Sequence, residues 1–325
     1  MKHWAWLSID AKATTEDLRS KYRRLKEGGL HGVFLEGGID AREFEIVREA
    51  GLELHSWMWT TNRREPWIRE NHPEWFMVSR SGKSCFDQPP YVEYYRWISP
   101  FQPAVHDYLR DRAAELAAHP LVAGVHLDYV RFPDVILPRA LWETYGLDQT
   151  EELADFDFDY SDAARAAFRN ATGRDPLEIA DPATDQEWLH FRYEAITQLV
   201  EGLAETVHAH GKEITAAVFP TPSMARKICR QSWDKWPLDA VCPMVYHSFY
   251  NLPTEWIGDA VRENIQAVRF PVYAGLYMPA FTSADDFEAG VRHALHRGAA
   301  GVSLFAANSI LPEHFEALRR IADST

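Results

Sequence analysis

The apolar and polar positions of this chain alternate between two periods from end to end. Short runs rich in aliphatic and aromatic residues have the length and alternation of strands. Between them lie stretches in which apolar residues recur every three or four positions, as on one face of a helix. The runs predict eight strands: 3–9 (HWAWLSI), 32–36 (GVFLE), 53–60 (ELHSWMWT), a run inside 121–133 (LVAGVHLDYVRFP), 213–220 (EITAAVFP), 239–249 (DAVCPMVYHSF), 272–278 (VYAGLYM) and 301–308 (GVSLFAAN). Helices are predicted between them. Thr15 caps one bearing Leu18, Tyr22 and Leu25, and Asp40 with Glu43 forms a capping box before Phe44 and Val47. Ser99 with Gln102 forms another before Val105, Leu109 and Leu116. A longer helix runs from Gln186, a short one covers 223–229, and another spans 254–267. The last two start at Ser283 and Pro312.

Strand followed by helix, eight times over, predicts a single (β/α)8 barrel across residues 1–325. An open doubly wound sheet is the alternative. Had it bound a dinucleotide, it would carry a glycine-rich phosphate loop after the first strand, and SIDAKATTED is not one. Two connections are too long for simple turns: 61–98 after the third strand and 134–185 after the fourth. The second leaves from the strand ends where barrels keep their chemistry, so it is expected to cap the catalytic face.

Composition narrows the function. A net charge of -14 argues against a nucleic-acid surface. No apolar run approaches the ~20 residues of a membrane span. The start, Met1-Lys2-His3, runs straight into a strand and predicts a cytoplasmic protein, or an exported one if a leader has been removed. Cys85, Cys229 and Cys242 are too widely spaced for a metal or redox motif and fit a reducing compartment.

The fourth run carries the sharpest candidate. Alternation sets Val125, Leu127 and Tyr129 on one side and His126, Asp128 and Val130 on the other. A carboxylate near the end of an apolar strand is costly to bury without partners. The plain reading is an ion pair between Asp128 and Arg131; the sharper one is a catalytic carboxylate at the C-terminal end of a barrel strand. His126 reads as an inward residue satisfied by its neighbours, without acids or histidines at local ligand spacing. The other strand ends supply Asp10, Glu36, Trp57, Trp59, Asn62, Arg131, Tyr246, His247, Tyr277 and Asn308. Carboxylates among Trp and Tyr suit sugars, whose C–H faces stack on rings while carboxyls act on the glycosidic bond. Of the 12 tryptophans, Trp57 and Trp59 share a parity and could form one stacking wall, or simply pack under helices.

The run GVHLDYVRFP, with LHSWMWT, HPEWF and SGK upstream in that order, resembles the glycoside-hydrolase-like family 10 group. These are large bacterial barrel proteins, related to the poly-N-acetylglucosamine hydrolase domains of biofilm proteins. The resemblance covers about 4–133 and implies a (β/α)8 fold acting on carbohydrate, with Asp128 at the motif aspartate; the insertion after Pro133 has no counterpart in it. The expected function is therefore a glycoside hydrolase with Asp128 and Glu36 as catalytic carboxyls, needing neither metal nor cofactor. The remaining strand-end residues would bind the sugar. The alternatives are a non-catalytic carbohydrate-binding barrel and a metal-dependent sugar isomerase or lyase.

Overall fold

In the computed structural model, which describes residues 1–323, eight parallel strands form one sheet. They are β1 (Trp4–Ser8), β2 (Gly32–Glu36), β3 (Glu53–Trp59), β4 (Gly124–Asp128), β5 (Glu213–Val218), β6 (Ala240–Pro243), β7 (Tyr273–Tyr277) and β8 (Gly301–Phe305). The order is β6-β5-β4-β3-β2-β1-β8-β7. Parallel bridges Val241–Val272 and Met244–Gly275 join the two ends, so the sheet closes into the (β/α)8 barrel that the alternation predicts.

Inward-facing residues fill the barrel in layers. Trp4 stacks on Phe34 at 4.9 Å, with Trp6, Ala217, Cys242 and Tyr273 in the same buried cluster. Gly32 makes room: a Cβ there would fall 2.3 Å from the Trp4 ring. His126 lies at the centre. Trp6 Nε1 donates to its Nε2 at 2.9 Å, its Nδ1 lies 2.8 Å from Thr215 Oγ1, and Phe34 stacks on it at 3.7 Å. Burial pushes its pKa well below the ordinary value, so the ring is neutral and both nitrogens are satisfied. Val125 and Leu127 face outward into the main core.

Several boundaries differ from the sequence expectation, each for a local reason. Thr14, not Thr15, caps the first helix, because its hydroxyl accepts from Asp17 N and Asp17 reaches back to its backbone. Asp40 caps the second, yet Glu43 does not close the box; its buried carboxylate takes hydrogen bonds from Tyr22, Lys21 and Asp10 N. No side chain caps the helix Pro103–Ala117, and Ser99 Oγ instead accepts from Phe101 N. β6 stops at Pro243, well short of Phe249, because the chain tightens there: Val245 N, Tyr246 N and His247 N each donate to the carbonyl two residues back.

The two long connections pack on each other. Ser79 bridges Phe158, Arg80 N donates to Asp157 O, and Tyr91 stacks on Phe156 at 4.5 Å. Buried Asp157 anchors the second of them to the barrel helices through Arg192, Nη1 at 2.5 Å.

Candidate active site

Asp128 ends β4, so its side chain turns towards the barrel axis at the C-terminal mouth. Trp57 pairs with His126 across β3 and β4, and Trp59 pairs with Asp128. This register brings Trp57 Nε1 to 3.1 Å from Asp128 Oδ2. The other oxygen, Oδ1, accepts from Tyr129 N at 2.7 Å. Burial dominates the charge balance and raises the Asp128 pKa from 3.8 to about 6, against the smaller lowering effects of the Tyr129 N–H, Arg131 and Trp57.

The alternation fails immediately after Asp128. Tyr129 adopts a left-handed backbone (φ 50°), unusual for a residue with a large side chain. Thr61 Oγ1 lies 2.5 and 2.6 Å from the Tyr129 and Arg131 carbonyls, shares its one proton between them, accepts from Arg131 N and so fixes the turn. Tyr129 therefore joins the wall of the mouth, and Val130 enters the outer core, the reverse of the sequence expectation. Arg131 does not pair with Asp128. Its Nη1 binds Asp134 Oδ2 at 3.0 Å, and its guanidinium lies against the rings of Trp97 and Phe219 at 4.7 and 4.8 Å.

Above Asp128 opens a cavity of ≈ 380 Å³. Trp57, Trp59, Tyr246 and Phe305 line it from the barrel, and Tyr94 and Tyr95 from the connection after β3. Leu137, Pro138, Leu141 and Tyr145 of the 134–185 segment line it too. Trp142 of that segment is not among the lining residues, and Tyr160 is buried with Asp157 and Trp188. Two carboxylates reach the cavity, Asp128 and the arginine-bound Asp134.

Asp128, Trp57, Trp59, Arg131 and Tyr246 are thus brought together. Glu36 faces an adjoining groove beyond Trp57 and Trp59, lined also by Asn62, Arg63 and Glu65, where Arg64 lies 3.7 Å from its carboxylate. Asn62 borders that groove but is buried, and its Oδ1 accepts from Arg96 N. Tyr277 stands behind the wall, 5.5 Å from the Tyr246 ring. His247 turns away onto Phe281 at 5.4 Å. Asp10 is exposed and spends its Oδ1 on the Lys12 and Ala13 amides, and Asn308 is exposed in a short 3₁₀ turn. Asp134, Tyr94, Tyr95, Leu141 and Tyr145 were not among the strand-end candidates. The one signal for them was the length and aromatic content of the two connections.

Residues 62–269 match a family model described as "Putative glycosyl hydrolase domain". The chain belongs to this family. The match contains Asp128, Arg131 and Asp134 and continues through the insertion after Pro133, beyond the reach of the motif resemblance. The division into family 10 is finer than this match. No curated protein matches the sequence. The fold is similar to the PgaB (BpsB) glycoside hydrolase domain from Bordetella bronchiseptica (TM-score 0.71, 13% identity, 100% of this chain and 97% of that one). It is similar also to the catalytic domain of a β-amylase from Paenibacillus polymyxa (0.67, 12%, 100% and 98%). A class V chitinase from Pseudomonas fluorescens Pf-5 shares it at 0.55 (12%, 98% and 98%). At these identities the likeness is one of fold.

Proposed function

We propose that the protein hydrolyses a glycosidic bond of an oligo- or polysaccharide in the cavity above Asp128, with Asp128 as general acid. The observation that carries this reading is the Asp128 carboxyl itself: buried at the barrel mouth, with a pKa raised to about 6, under aromatic walls. A carboxyl with that pKa still holds a proton in a useful fraction of molecules near neutrality and can give it to a departing glycosidic oxygen. Trp57 and Tyr129 N fix the carboxyl from two sides, leaving its direction set before substrate arrives. The rings of Trp57, Trp59 and Tyr246 offer faces for pyranose C–H bonds.

A glycosidase of the usual kind also needs a second carboxylate. Asp134 shares the cavity and is held by Arg131, whereas Glu36 could act only from the neighbouring groove, past Trp57 and Trp59. Asp134 is the better placed of the two. The family membership supports hydrolysis over isomerase or lyase chemistry.

The test is a screen of the purified protein against chromogenic glycosides and polysaccharides, followed by Asp128→Asn on the best substrate. Turnover should fall by ~10²-fold or more, the scale of lost general acid catalysis. In the wild type, kcat/KM should decline as pH rises above about 6, where the acid ionises. A folded Asp128→Asn protein with most of its activity would refute the assignment. Saturable sugar binding without turnover would indicate a binding barrel instead.

A further inference from the structure

At the opposite end of the barrel, Glu53 and His55 on β3 and Glu213 on β5 face one another, with one potential ligand atom from each all within 4.8 Å. We propose that this cluster binds a single Zn²⁺ ion, a structural metal site that ties β3 to β5 across β4.

The geometry starts from a missing side chain. His55 pairs with Gly124, and Gly124 pairs in turn with Glu213. A Cβ on Gly124 would lie 2.6 Å from His55 Cε1 and 2.7 Å from its Nδ1. The space a side chain of β4 would fill is therefore where the imidazole lies, reaching across the strand towards β5. Any other residue at position 124 would push the ring away from Glu213.

The ring is also oriented. Its Nδ1 lies 3.3 Å from Thr215 Oγ1. With Nδ1–H donating there, the lone pair belongs to Nε2. Metal-bound histidines are held in the same manner, the remote N–H donating to an oxygen. Nε2 is buried, in a side chain with no exposed surface, and among the described residues it makes no hydrogen bond of good geometry, only ion-pair approaches to Glu53 and Glu213. Such a nitrogen normally finds one. It points between two carboxylates, 3.4 Å from Glu53 Oε1 and 3.7 Å from Glu213 Oε2. Around a tetrahedral zinc with bonds of ~2.0–2.1 Å, neighbouring ligand atoms stand roughly 3.3–3.4 Å apart. The imidazole nitrogen is thus close to ligand spacing from both carboxylates, and the two carboxylates lie within 4.8 Å of each other.

The surroundings accommodate a dication. Glu53 gives its other oxygen, Oε2, to Lys2 Nζ at 3.1 Å, so Oε1 remains for the ion. Two carboxylates balance the charge of Zn²⁺. An imidazole with two carboxylates suits a transition metal better than Mg²⁺ or Ca²⁺, which prefer oxygen alone. A cleft of ≈ 290 Å³ bordered by Lys2, Glu213, Thr215 and Asp239 opens beside the group and admits ion and water for the fourth position. The N-terminal end of a barrel is where residues serve stability, so this ion would act on the fold and leave the chemistry at Asp128 untouched. The competing arrangement, an imidazolium held between two carboxylates, needs no metal, and the experiment separates the two.

Protein stripped with a chelator and dialysed is titrated with ZnCl₂ by calorimetry, and its Tm is measured with and without the ion. The expected result is one saturable site per chain and a Tm that rises with Zn²⁺. Glu213→Gln alters a side chain that is 56% exposed, so the fold should persist. It should weaken binding by about 100-fold or more, at least the loss seen when a ligand's supporting partner is removed, and abolish the Tm response. Absence of saturable binding in the wild type overturns the proposal. So does a Glu213→Gln protein that binds Zn²⁺ as tightly as the wild type, which would place the ion elsewhere.

Discussion

Asp128→Asn should gain stability relative to the wild type as pH rises, while it destroys the proposed activity. The carboxyl ionises at about 6 in the folded chain, against 3.8 for an ordinary aspartate, chiefly because burial disfavours its charge. Here folding raises the pKa of an acid, so between those values the folded state binds more protons than the unfolded one. Stability then falls as pH rises through the window. Below pH 3.8 both states are protonated and the charge costs nothing; above about 6 the full penalty is present. The gap of about 2.2 corresponds to ~3 kcal/mol, at about 1.36 kcal/mol for each pH unit, as an upper order of magnitude. Asparagine carries no charge at any pH and escapes this penalty. It also cannot accept from both Trp57 Nε1 and Tyr129 N through two oxygens, but that loss is independent of pH. The quantity to follow is therefore the stability difference between variant and wild type, from urea unfolding at intervals from pH 4 to pH 8. It should move in favour of the variant by ~2.4 kcal/mol from pH 4 to pH 8, since part of the penalty is already present at pH 4, with most of the change below pH 6.5. Contributions from other titrating groups cancel in the difference. A difference that stays flat with pH would refute the desolvated carboxyl, and with it the argument for a general acid.

Other outcomes follow from the same geometry. Trp57→Phe keeps a ring in the wall but removes the donor to Asp128 Oδ2, so the pKa should rise further and the alkaline limb of kcat/KM should move to higher pH; an unmoved limb would show that the indole does not act on the acid. Trp59→Ala should raise KM with little change in thermal stability, because the ring is only partly buried; a large drop in Tm with unchanged binding per folded molecule would make it a packing residue. Asp134→Asn should lower turnover more than Glu36→Gln, in kinetics on the same substrate. The opposite ranking would put the second carboxyl in the Arg64 groove, and near wild-type turnover in both would favour assistance from the substrate's own N-acetyl group.

The barrel was legible because its signals are local. Each strand carries its own alternation, and all eight lie where the runs predict, several shortened by a residue or two. Asp128 and the inward His126 follow from the same parity. The mouth was less legible, since a strand end says where a residue leaves the sheet but not which way the next turn sends it. Tyr246 and His247 leave the shortened β6 through tight turns, and one ends in the wall while the other packs on Phe281. Asp10 is consumed by its own turn. Asp134 was hidden because Arg131 stands three residues from both aspartates, and the alternation drew attention to Asp128 inside the strand. Tyr94 and Tyr145 reach the cavity only because two insertions pack on each other, and no local pattern encodes that contact.

The left-handed turn at Tyr129 bears on how this protein could be redesigned. An aromatic residue in that conformation raises the energy of the folded chain by about 1–3 kcal/mol compared with glycine or another relaxed alternative. A procedure that optimises stability alone would mark position 129 as an error and replace it, gaining robustness at once. It would also delete a ring from the cavity wall and loosen the amide that steadies the Asp128 carboxyl. Asp128 invites the same mistake, because its burial too weakens the fold at neutral pH. Two adjacent residues, each unfavourable by the measure of folding, stand where the proposed chemistry would require them.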